Sequence, residues 1–199
     1  MEGATENTEK NGKGSHMALT AQDIEDYLAE LGQELRNAGI TQPVRLLMVG
    51  GAYMLTQIGN RPSTRDIDVL LENIADPGAS PLYPPLQSAV RAVAARHGLS
   101  ANWVNDVIGD ALRNYGPIPK GTTWRVYGPL EVLVPDRAYI LALKLLAHRP
   151  QDEADIRVLC HDLGVSTHDQ ARHILDAYIT DDHIKLLSHV DAALAQLFP

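Results

Sequence analysis

The sequence predicts a mixed α/β protein, a β-sheet flanked by helices and followed by an all-helical C-terminal part. Three observations carry that reading. Short apolar runs of strand length (VRLLMV at 44–49, DIDVLLE at 66–72, TTWRVYG at 122–128, LEVLVPD at 130–136) alternate with helical patterns or turns. From Asp136 onward the apolar period is helical to the end of the chain. Finally, 45% hydrophobic and 21% charged residues over 199 positions is globular composition, with chain enough for a real core and no profile of disorder.

Taken in order, Thr20 precedes AQDIEDYLAELGQELRNAG, where Ile24, Leu28 and Leu31 recur at helical spacing, acids crowd the first turn and Gly39 ends the run. VRLLMV is a buried strand, broken by Gly50-Gly51, and AYMLTQI is a second helix stopped by Gly59-Asn60. The polar turn RPSTR leads into the strand DIDVLLE. ADPGASPLYPP is expected as a loop, and LQSAVRAVAARHG as a helix ending at Gly98. Between Leu99 and Gly121 the pattern allows a short strand and a turn or two of helix. TTWRVYG and LEVLVPD are strands joined at Gly128-Pro129. DRAYILALKLLAH, QDEADIRVLCHDLG, HDQARHILDAYI and DDHIKLLSHVDAALAQLF then read as four helices. The expected organisation is a leader over 1–16, an α/β core over 17–135 and a helical subdomain, a C-terminal bundle, over 136–199.

The leader MEGATENTEKNGKGSH is polar, without the apolar region of a signal peptide, and Gly14-Ser15-His16-Met17 resembles a cloning scar. No apolar run reaches the roughly 20 residues of a membrane span, so a soluble, cytoplasmic protein is expected, with no membrane partner. A single cysteine, Cys160, excludes an intrachain disulfide framework and a cysteine-cluster metal site. Charge is uneven along the chain. Residues 17–90 carry 4 bases and 9 acids (−5), 91–157 carry 9 and 7 (+2), and 158–199 carry 2 and 6 (−4). If an anionic partner binds, the middle segment is where it is expected; the alternative is a set of solvated surface arginines.

The sharpest local feature is Val49-Gly50-Gly51, a helix, and then Arg65-Asp66-Ile67-Asp68-Val69. In a strand Asp66 and Asp68 share one face while Ile67 and Val69 turn to the other. Two carboxylates whose Cα atoms lie about 6.5–7 Å apart suit a hard cation such as Mg²⁺, completed by substrate phosphate. Glycines at a helix start expose free N–H groups and admit a phosphate closely. Arg65 either binds phosphate or pins the turn. Lys144 sits within Ile140-Leu141-Ala142-Leu143-Lys144-Leu145-Leu146, so it must snorkel out or meet an anion. Asp152 and Asp155, in the next helix, are close enough to supply one. Cys160-His161-Asp162 cannot form a triad, because neighbouring helical side chains diverge by about 100°. The histidines lack zinc-ligand spacing, and no Rossmann or P-loop motif is present.

The run GGAYMLTQIGNRPSTRDIDVL resembles the signature of the DNA polymerase β-like nucleotidyltransferase superfamily, Gly-Gly or Gly-Ser, a spacer, then Asp-x-Asp. More narrowly the chain resembles the AbiE-type toxin nucleotidyltransferases. Lys144-Leu145-Leu146-Ala147-His148-Arg149 followed by Asp152-Glu153-Ala154-Asp155-Ile156 is similar to their Lys-x-x-Ala, Arg, Asp-x-x-Asp-Ile helical motif, and Trp103-Val104-Asn105-Asp106 resembles a Trp-Leu-Asn-Asp element of some relatives. The likeness touches about a third of the chain. It implies a minimal nucleotidyltransferase core that moves a nucleoside monophosphate from an NTP to an acceptor hydroxyl with loss of pyrophosphate. Gly50, Gly51 and Arg65 would bind the nucleotide, Asp66 and Asp68 would hold Mg²⁺, and Lys144 and Asp155 would assist catalysis. Polymerase-type members use a third carboxylate, for which Asp106 and Glu131 are the candidates, Asp106 favoured. The resemblance further implies a toxin of a bacterial toxin–antitoxin system acting on the 3′ end of tRNA, with a cognate antitoxin as partner; Lys120, Arg125 and Arg137 are compatible with an RNA backbone. Modification of an antibiotic or a protein, and nucleotide binding without turnover, stay open as alternatives.

Overall fold

A computed structural model of the chain describes residues 17–74 and 76–198. The leader expected over 1–16 lies outside them. The described residues form a five-stranded mixed sheet and nine helices. The strands are β1 (Val44–Met48), β2 (Ile67–Leu71), β3 (Val104–Asn105), β4 (Thr122–Tyr127) and β5 (Leu130–Val134), in the order β3-β2-β1-β5-β4. β1 runs antiparallel to β2 and parallel to β5, β2 runs parallel to β3, and β4 closes the far edge as a hairpin with β5.

The period-2 alternation of the strands splits the core in two. Leu46, Met48, Ile67, Val69, Leu71 and Val132 face one side, where they meet α1 (Ala21–Asn37) and α3 (Tyr83–His97). Leu47, Leu70 and Leu133 face the other, where they meet α5 (Arg137–Ala147) and the helices that follow it. α1 starts as its sequence indicates: Thr20 and Asp23 form a capping box, and Ile24, Leu28, Leu31 and Leu35 are buried. α3 begins at Tyr83, inside the stretch expected as loop. Its prolines fall in the first turn, where the missing N–H groups have no intrahelical acceptor to lose.

The helix after β1 is irregular. α2 (Gly50–Tyr53) passes into a π-helical turn, Met54–Ile58, that ends on Gly59, whose N–H donates to the Met54 carbonyl at 2.9 Å. α4 (Gly109–Tyr115) occupies the region the sequence left open. The C-terminal part holds α5, a 3₁₀ turn Pro150–Asp152, α6 (Glu153–Leu163), α7 (His168–Tyr178), α8 (Asp182–Leu187) and α9 (Val190–Leu197). One helix was expected over 181–198. The chain breaks at His189, which takes a left-handed conformation (φ 50°) and so turns Val190, Ala193 and Leu194 inward. α5 packs against α6, α7 and α9, and its apolar residues share one core with the sheet. None of the described helices is long and apolar enough to cross a membrane.

β3 is only two residues long and is held by its neighbour. Trp103 is fully buried, its indole N–H donates to the Val90 carbonyl of α3 at 3.0 Å, and Tyr27 of α1 meets it edge-on at 6.0 Å. Trp103→Ala is expected to cost about 3–5 kcal/mol, read as a lower denaturant midpoint in urea unfolding.

Candidate active site: a carboxylate pair at the junction of three cavities

The site forms where β1 ends beside the start of β2. The Val49 N–H donates to the Asp68 carbonyl at 2.9 Å, and the chain then turns at Gly50 (φ 65°) into α2. Both glycines are required by close approach. A Cβ on Gly50 would stand 2.7 Å from a carboxylate oxygen of Asp68, and one on Gly51 would stand 2.7 Å from the Thr64 hydroxyl. The double glycine therefore lets the Asp68 side chain lie against the helix start. Asp68 shares the α5-facing side of β2 with Leu70, opposite Ile67 and Val69.

Burial raises the Asp68 carboxyl above the ordinary carboxylate range, and the neighbouring charge of Asp66 raises it further. The Asn105 amide and the Arg149 and Lys144 charges act in the opposite direction without cancelling this. Asn105 is the register partner of Asp68 across the parallel β2–β3 pair, so the two side chains share a face. A like-charged, partly desolvated carboxylate pair is a fitting donor set for a hard cation that draws its other ligands from phosphate and water. Among the described residues no group of three or more His, Cys, Asp or Glu side chains is arranged to hold a metal. Asp66 and Asp68 are what this cleft offers one.

Lys144 meets both carboxylates of the following segment. Its ammonium donates to Asp152 at 2.5 Å and pairs with Asp155 at 2.9 Å, with Lys144 only 4% exposed. Arg149 donates to Asp152 at 2.8 Å. Arg61 donates through Nε to Asp155 at 2.9 Å and reaches Asp152 at 3.2 Å, and Asn60 donates to Asp155 at 2.9 Å. Burial pushes both aspartates up, but the Lys144 and Arg149 contacts at Asp152, and the Arg61, Lys144 and Asn60 contacts at Asp155, outweigh it and hold both below the usual carboxylate range. Three cations against two carboxylates leave one net positive charge on this wall of the cleft.

Three cavities meet at Asp68. The largest, about 660 Å³, is the charged one, with a small positive excess: Arg61, Arg65, Lys144 and Arg149 line it against Asp66, Asp68 and Asp152, with Gly51 at its wall. A second, about 310 Å³, is apolar and lies between α4, α5 and α8. A third, about 410 Å³, is walled by Arg65, Asp66, Ser100, Asn102 and Asn105.

The structure thus brings Gly51, Arg65, Asp66, Asp68 and Lys144 to one cleft, with Gly50 lining the adjoining apolar cavity and Asp155 directly behind Lys144. It does not bring Asp106 there. Asp106 lies just past the end of β3 and lines a small cavity with Val104 and Leu86, separate from the three that meet at Asp68; the charges that act on it are those of Arg113 and Asp110. Glu131 pairs with Arg45 at 2.8 Å near the start of β1, away from the site at the strand's end. The place beside Asp68 is taken by the Asn105 amide. Arg125 and Arg137 are engaged with Glu25 and Asp162. Arg61, a ligand of both buried aspartates, was missed. Its only signal was a second arginine four residues before Arg65 in the polar turn. Searches against protein-family models, curated proteins and solved structures found no match to this chain.

Removing Asp155 leaves the Lys144 and Arg61 charges short of a partner, so Asp155→Ala is expected to lose about 3–5 kcal/mol in denaturant unfolding at pH 7. The lowered values of Asp152 and Asp155 mean that their contribution is complete above the ordinary carboxylate value of 3.8 and is lost as pH falls through the folded-state values. Asp68 has the opposite sign. Its ionised form opposes folding at neutral pH, so Asp68→Asn should raise Tm at pH 7 in the absence of divalent metal and lose that advantage in acid, as measured by calorimetry across pH.

Proposed function

We propose that the protein is a Mg²⁺-dependent nucleotidyltransferase that moves a nucleoside monophosphate from an NTP to an acceptor hydroxyl. The observation that carries the reading is the position of Asp66 and Asp68 on the rim of a cavity that also presents Arg61, Arg65, Lys144 and Arg149. Carboxylates alone would repel a triphosphate. Asp66 and Asp68 beside Arg65 and the one surplus positive charge of the Arg61, Lys144 and Arg149 cluster suit a triphosphate that arrives with a metal ion.

In this reading Asp66 and Asp68 would hold the metal, which when bound would supply positive charge against the phosphate oxygens. Lys144, fixed in place by Asp152 and Asp155, and Arg149 lie along the phosphates, where fixed positive charge stabilises the transferring group. Arg65 is free to serve the same purpose from the β2 side. The acceptor oxygen bonds to the α-phosphorus, the bond to the bridging oxygen breaks, pyrophosphate leaves and the hydroxyl proton passes to solvent. The hydroxyl- and amide-walled cavity of Ser100, Asn102 and Asn105 matches the hydrogen-bonding groups of a ribose. The 3′ end of tRNA as acceptor, and with it the role of a toxin paired with an antitoxin, is the part of the proposal that rests on the motif resemblance alone.

Incubation with α-labelled NTPs, Mg²⁺ and total tRNA is expected to label RNA. Asp66→Ala should reduce the signal by about 10²-fold or more, and chelation of the metal should abolish it. Label on protein instead of RNA would transfer the reading to protein nucleotidylation. No label on any acceptor, with no pyrophosphate released, would overturn it. Expression in a susceptible host should arrest growth, and Asp68→Ala should relieve the arrest.

A further inference from the structure

We infer that the apolar cavity between α4, α5 and α8 seats the nucleobase of the NTP and reads it by shape more than by its edge, an assignment that rests on the nucleotidyl-transfer reading above. A nucleoside triphosphate has two chemically opposed ends, a polyanion and a flat ring with apolar faces. The charged cavity suits the first and offers the second little, since its apolar side chains are Ala18 and Ile108. The third cavity presents a hydroxyl, amides and charges, with Val107 and Ile108 as its apolar part. The 310 Å³ cavity is the reverse, walled by Ile108, Leu112, Tyr115, Ile140 and Leu143.

Continuity joins the two ends. Asp68, Lys144 and Arg149 border both the charged and the apolar cavity, so a ligand whose phosphates lie among the cations passes these residues to put its ring among the leucines and isoleucines. The volume lies at the lower limit of small-molecule pockets, about 300 Å³, which suits one heterocycle and not a whole nucleotide. The opposing walls are set in advance, because the Tyr115 carbonyl at the end of α4 accepts the Thr180 and Asp181 N–H groups, at 2.8 and 3.1 Å, just before α8.

The neutral polar side chains of this cavity are Tyr115 and Ser188. A hydroxyl both donates and accepts, so it satisfies any of the four base edges. The site is therefore expected to hold all four NTPs within about tenfold of one another, a spread of about 1.4 kcal/mol, with the ring faces supplying the affinity.

The test uses the full chain with Mg²⁺ and calorimetry of ATP, UTP and inorganic tripolyphosphate. Ala111 lines the cavity from α4, and Ala111→Phe places a ring where the base would sit. The expected result is at least a tenfold loss of affinity for both NTPs, with tripolyphosphate binding unchanged, which also reports that the variant is folded. Leu143→Phe, filling from the α5 side, should give the same pattern. Unchanged NTP binding in both variants, or a wild type that binds tripolyphosphate as tightly as ATP, would overturn the base seat and leave the transfer reading standing. A wild type that binds neither NTP nor tripolyphosphate would overturn both.

Discussion

An ammonium group cannot be left unpaired on the apolar side of a helix, and Lys144 is buried on α5, so the chain must bring carboxylates to it. Asp152 and Asp155 meet that demand from the 3₁₀ turn and the first turn of α6. Two buried aspartates then require further donors, which come from Arg149 and from Asn60 and Arg61, more than ninety positions earlier than Asp155 in the chain. The loop that carries Arg61 continues into Asp66 and β2. One buried lysine thereby ties α5, α6 and the approach to β2 into a single wall. Against a well-packed apolar replacement such a network adds little net stability. Its contribution is position: it holds a cation at the cleft without letting it swing out.

Local features of the fold were legible because local physics decided them. Thr20 with Asp23 marks a helix start, the alternation of Ile67 and Val69 with Asp66 and Asp68 marks a two-faced strand, and Gly98 ends α3 in the left-handed conformation it favours. The π-helical turn at 54–58 and the break at His189 were not legible, since both answer to tertiary packing and leave the apolar period almost unchanged. The close approach that a glycine pair permits is legible in the sequence, but which groups use it is not: the space the missing Cβ atoms leave is filled by Asp68 and Thr64.

Charge was the least legible property. Counted along the chain, the positive stretch is 91–157, yet much of it is spent at the surface: Arg96 on Glu30 and Glu34, Arg125 on Glu25, Arg137 on Asp162. The cations that line the largest cavity come in two pairs, Arg61 with Arg65 and Lys144 with Arg149, and the first pair belongs to an acid-rich segment. Linear density reports composition, and only folding decides which charges are cancelled. The same reasoning explains Asp106. The motif's acid falls one residue beyond the end of β3 and lines a small cavity with Val104 and Leu86, which leaves Asn105 beside Asp68.

One short contact bears on the shape of the cleft mouth. Leu19 and Thr64 exchange backbone hydrogen bonds of 2.7 and 2.9 Å, an isolated bridge that fastens the residues before α1 to the loop between Arg61 and Asp66, and Ala18 stands on the cleft itself. A two-residue bridge thus makes Ala18 part of the cleft's frame, so loosening Leu19 or Thr64 would reshape the mouth of the cavity without touching any charged side chain.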